Sequence, residues 1–149
     1  MQTYKYRSFK AVMFVLLITL CSCKHKEKTV INESVKTKEL VFVVNLVEDD
    51  KKVQEYLNYH KNIWPEVEAG FRKAGYQQIT LYRFNRLLVM RIVVPENADL
   101  DSMGRIAEGY DKRCAEWNKL MSGYQQGVLG TAPGQTWVEA KPFYSFSNK

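Results

Sequence analysis

Histidine is nearly absent from this sequence. Of 149 residues only His25 and His60 are histidines, and only His60 lies within a stretch patterned like a folded domain. A metal centre needs several His, Cys or carboxylate ligands together, which one usable histidine does not supply, so no metal is expected. Cysteine is as scarce: Cys21 and Cys23 flank Ser22 near the N-terminus, and Cys114 stands alone in the body of the chain. A lone cysteine on a helical apolar face is most simply a small core residue. No phosphate-binding glycine loop, Rossmann glycine pattern, CxxC pair or HExxH helix occurs, so no cofactor is expected. A basic footprint is missing too, despite a formal net charge of +6. Eight of the 22 basic residues precede Glu39 against two of the 16 acids, which leaves residues 39–149 balanced at 14 of each. That neutrality argues against a nucleic-acid partner.

What is present begins with a leader. Lys5, Arg7 and Lys10 precede the apolar run Ala11 to Leu20, a basic start followed by a short hydrophobic core as in secretory signals. These ten residues fall short of the roughly 20 that span a bilayer. Leu20-Cys21-Ser22-Cys23 resembles a bacterial lipobox. The resemblance implies cleavage before Cys23, lipidation of its sulfur and firm anchoring by several acyl chains. Residues 1–22 then form a signal peptide and residues 23–38, which hold no aromatic, a lipidated tether. His25 lies in that tether and has no assigned role. The expected location is the membrane of the cell envelope, on the periplasmic side. With Cys21 removed and Cys23 capped, Cys114 has no disulfide partner.

The domain spans residues 39–149, and an apolar fraction of 46% with 13% aromatics is enough for a core. Glu39 to Val47 is β-branched and apolar, a buried strand. Glu48, Asp49 and Asp50 supply a helix N-terminus, and Val53, Tyr56, Leu57 and His60 follow at helical spacing to about Lys61. Pro65 suits the first turn of a second helix, which Gly75 ends. Tyr76 to Phe84 and Leu87 to Val94 read as a hairpin about Asn85-Arg86. Asp101 to about Gly123 reads as helical with an irregularity near Gly109. A loop from Gly127 to Gln135 leads to a last strand, Thr136 to Phe146. The order β-α-β-β-α-β gives an α+β, ferredoxin-like sandwich. One face of such a sheet needs cover, which a homodimer would provide.

The chemistry concentrates in Tyr56 to Phe71. Tyr56 and His60 are one helical turn apart and stack on one face, with Trp64 one turn on. A lone histidine on a helix face is often structural. An aromatic wall beside one titrating group is also what a sugar pocket requires, because aromatics stack on pyranose C–H faces and histidine exchanges protons near neutrality. Glu66 and Glu68, beside a helix start, read as solvated dipole partners.

Tyr56-x-x-x-His60-x-x-x-Trp64-Pro65-Glu66, a strand holding Tyr82, and Cys114-Ala-Glu-Trp117-Asn-Lys-Leu-Met121 together resemble the L-rhamnose mutarotase family over residues 39 to 146. The resemblance implies a dimeric α/β-barrel-like assembly, no cofactor or metal, and interconversion of the α and β anomers of a deoxyhexose. By position it implies His60 as catalytic proton donor, with Tyr56 as its partner and sugar ligand, and Tyr82 and Trp117 as further substrate-binding residues. Two positions depart from the family pattern: Ile79 stands where a tyrosine is usual, and Asn118 replaces the second of two adjacent aromatics. Both alter the pocket wall, which leaves L-rhamnose, L-fucose or another deoxy or uronic sugar open as the substrate. Two alternatives stand beside this reading: a non-catalytic sugar-binding lipoprotein on the same scaffold, and a cofactor-free oxidase of small aromatics of the quinol monooxygenase type.

Overall fold

A computed structural model describes residues 35–148. The expected signal peptide and most of the tether, including Cys23 and His25, lie outside these residues.

The first strand, β1 (Thr37–Leu46), starts two residues earlier than its apolar pattern suggests, within the expected tether. Helix α1 (Asp50–Lys61) follows, with the Asp49 carboxylate accepting from the Lys51 and Lys52 N–H groups at 3.0 and 3.1 Å. These would otherwise be orphaned donors of the first turn. Helix α2 (Pro65–Ala74) opens with proline, whose missing N–H costs nothing there. It closes on Gly75 at φ 93°, a left-handed cap that a side chain would strain. β2 (Gln78–Phe84) and β3 (Leu87–Pro95) form the expected hairpin, with Asn85 at φ 53° in its two-residue turn. The irregularity near Gly109 is a full break. α3 (Leu100–Glu108) and α4 (Lys112–Ser122) are separate helices, and Asp111 caps the second by accepting from Arg113 N–H at 2.8 Å.

The sheet order is β2-β3-β1-β4, with every pairing antiparallel. β1 and β2 are therefore parallel and split by β3, the ferredoxin-like arrangement. One expectation fails here. Thr136 to Phe146 is not a continuous strand: only β5 (Val138–Glu139) pairs with β1, and β4 (Gln125–Gln126) occupies the start of the same edge. After Ala140 N–H donates to the Val41 carbonyl at 2.8 Å, the ladder stops. Pro142 lacks the donor that would extend it. Phe143, Tyr144 and Phe146 beyond it are exposed.

Strand parity divides the molecule. Val44, Leu46, Leu88, Ile92 and Val94 face the helices and are nearly or fully inaccessible. They pack on Val53, Tyr56, Val67, Trp117 and Met121 at one end and on Ala74, Met103 and Ala107 at the other. At Gly70 the helices approach closely, since a Cβ there would stand 2.7 Å from the Ala107 carbonyl oxygen. The opposite sheet face carries Val41, Val43, Val89 and Val93, and no helix of the described residues covers it.

Candidate active site

α1 projects Tyr56 and His60 from successive turns of one face, with ring centroids 4.1 Å apart. His60 Nδ1 lies 2.9 Å from the Tyr56 carbonyl oxygen. A carbonyl can only accept, so Nδ1 carries a hydrogen, and in the neutral ring Nε2 keeps its lone pair. Burial holds the His60 pKa below 6.5, against a smaller opposing effect of that hydrogen bond. The ring is thus neutral at pH 7, with Nε2 as a proton acceptor.

Tyr56 is 2% exposed, and burial pushes its hydroxyl up to about 12 while a hydrogen bond with the Gln125 side chain acts the other way. The Gln125 amide oxygen accepts from Trp137 Nε1 at 3.1 Å. The Gln125 amide nitrogen is the group able to donate to the Tyr56 oxygen, and a donor there acts on the hydroxyl in the direction stated. Tyr124 packs edge-on to Tyr56 at 6.1 Å and fixes the ring from behind.

Trp117, from α4, stands edge-on to His60 at 5.4 Å and to Trp64 at 5.3 Å. The Arg113 guanidinium covers Trp64 at 3.9 Å, and Cys114 Sγ donates to the Glu66 carbonyl at 3.3 Å. α4 is thereby tied to the Trp64-Pro65-Glu66 turn, and Cys114, 4% exposed, is a core thiol.

A cavity of about 560 Å³ opens between the helices and the inner sheet face. Tyr56, His60, Trp117, Asn118, Gln125 and Trp137 form one end of it. Ile79 lines it too, so both positions that depart from the family pattern are wall residues. Tyr82 does not reach it. In β2, Ile79 and Leu81 face the cavity, and parity turns Tyr82 to the uncovered sheet face, where it is 53% exposed. The sequence reading missed Gln125 and Trp137, for which no local motif exists. Among the described residues no three His, Cys, Asp or Glu side chains converge as metal ligands.

A family model described as L-rhamnose mutarotase matches residues 39–146. An L-fucose mutarotase of Xanthomonas campestris pv. campestris is 32% identical over 111 residues, which cover 72% of this chain and 87% of that protein. The solved structure of an L-rhamnose mutarotase from Formosa agariphila shares the fold at a TM-score of 0.51 and 15% identity, covering 74% of this chain and 99% of that one.

Proposed function

The chain belongs to the L-rhamnose mutarotase family of carbohydrate-anomer isomerases, and from that premise we propose that it interconverts the anomers of a deoxyhexose of the L-rhamnose or L-fucose type through His60 and Tyr56. The observation that carries this reading is a free His60 Nε2 beside an un-ionised Tyr56 hydroxyl, both on one cavity.

Ring opening takes a proton from the anomeric hydroxyl and gives one to the ring oxygen as the bond between C1 and that oxygen breaks. His60 Nε2 accepts the first proton and Tyr56 O–H donates the second, a step that asks for one acid and one base within hydrogen-bond reach. The aldehyde turns about its bond to C2. Closure reverses both transfers on the other face, with protonated His60 as donor to the new anomeric oxygen. Both residues end as they began. Trp117 and Trp137 offer aromatic edges and faces for the sugar's C–H surface.

The uncovered sheet face, with its row of valines, supports a homodimer in which two such faces meet. The leader pattern supports a lipid anchor at Cys23 and a place at the periplasmic side of the envelope.

Anomeric exchange followed by proton NMR on the full chain, with L-rhamnose and L-fucose at equilibrium, tests the catalytic reading. Accelerated exchange that is lost in His60→Ala while the variant keeps its fold is the expected result. Strong exchange in that variant would remove His60 from the mechanism. Saturation transfer to the sugar without faster exchange would favour the non-catalytic sugar-binding alternative.

A further inference from the structure

The cavity has two unlike ends. Away from Tyr56, Trp117 and Gln125 its wall is built by Phe42, Met90, Ile92 and Leu100 of the second core cluster, which offer no hydrogen-bond donor and only a weak thioether acceptor. Of the other polar lining residues, Asn118 follows Trp117 on α4, Asp101 is exposed, and Tyr76 borders, together with His60, Ile79 and Leu81, a neighbouring hollow along β2 that forms the mouth. The α3 wall is thinned at Gly104, where an added Cβ would meet nothing within 4 Å. The whole volume, about 560 Å³, falls in the range that encloses drug-sized ligands.

A pyranose engaged by His60 and Tyr56 presents C1 and its ring oxygen to them. C3 and C4 lie on the far side of the ring and turn toward the apolar end. A hydroxyl driven against that wall loses water and gains no partner. An alkyl chain placed there gains about fourfold in binding for each buried methylene.

We propose that this apolar end receives an O-alkyl or O-acyl substituent at the far side of the sugar, so that the preferred substrate is an alkylated or acylated deoxyhexose with a free anomeric hydroxyl. The inference rests on the mutarotase reading and narrows its substrate class. Gly104 is the position that leaves room for the substituent.

The test compares anomeric exchange of L-rhamnose and L-fucose with that of their 4-O-methyl and 4-O-propyl ethers, using the full chain and its Gly104→Leu and Gly104→Ala variants. For one of the sugars, the propyl ether should exceed its parent in kcat/KM by at least about tenfold. Gly104→Leu, which fills the space, should bring that ratio down to about one, and Gly104→Ala should preserve most of it. Accelerated exchange of a parent sugar with no preference for its ether overturns the inference and leaves the mutarotase reading standing. So does a preference that Gly104→Leu fails to reduce. If no sugar exchanges faster, the mutarotase reading fails, and saturation transfer to the propyl protons then decides the site alone. A signal that Gly104→Leu removes supports it, and no signal overturns it.

Discussion

At the scale of single residues, one carbonyl sets the character of the site. Because the Tyr56 carbonyl accepts a hydrogen bond from His60 Nδ1–H, Nε2 is the histidine nitrogen left for a ligand. Burial lowers the His60 pKa and raises that of Tyr56 to about 12, so the neutral acceptor and the un-ionised donor coexist over a wide pH span. The exchange rate should fall in acid with a midpoint below 6.5, as His60 takes up its proton, and stay level through neutrality. An alkaline fall belongs near pH 12, where Tyr56 ionises. Tyr56→Phe keeps the buried ring and should slow exchange by about 10²- to 10⁴-fold, while retaining the acid limb; a pH–rate profile of the variant checks both. The same shifts act on stability. The raised Tyr56 contribution is fully present below pH 10 and lost as pH climbs through about 12, and that of His60 is lost as pH falls through its depressed value.

At the scale of elements, the cavity lies between the helix layer and the inner face of the sheet. α2 and α3 meet at Gly70, and the atom a Cβ would strike is backbone, the Ala107 carbonyl oxygen at 2.7 Å. Gly70→Ala should therefore push the helices apart and cost about 1–3 kcal/mol by overpacking, read as a lower urea midpoint. An unchanged midpoint would mean that α3 shifts without loss. Much at this level was legible. Asp49, Pro65, Gly75 and Asn85 mark their boundaries through caps and turn geometry that depend on nearest neighbours alone. The last strand was not legible, because its partner is one edge of β1 that β4 and β5 share, and Pro142 ends the ladder whatever the β propensity of the residues after it.

At the scale of the whole molecule, the helices use only one side of the sheet. Val89 lies on the bare side between Tyr82 of β2 and Val43 of β1. Val89→Glu would bury a charge in any dimer that joins two such faces, yet leave it half-solvated in a single chain. Sedimentation should show the wild type as a dimer and the variant as a monomer; equal masses would place the interface elsewhere. At the N-terminus, Cys23→Ser should abolish lipid labelling and release the protein from the membrane fraction. Persistent labelling of that variant would exclude Cys23 as the modified residue.

The sequence by itself determined the elements from β1 to β3, their order and the pairing of Tyr56 with His60, because caps, turns and a four-residue helical spacing act over one or two turns of chain. Which side of β2 lines the site was decided only by tertiary structure. Ile79 and Leu81 alternate with Tyr82 and Phe84, so each face of the strand carries two large apolar or aromatic side chains, and helix packing on one face breaks the tie. The same holds for Gln125, which reaches Tyr56 only because α4 returns the chain to the edge of β1, and Trp137 then fixes its amide. Local forces wrote the pairing of Tyr56 with His60 into the sequence. The shape of the space around it, and the room beside Gly104, come from elements that meet only when the chain has folded.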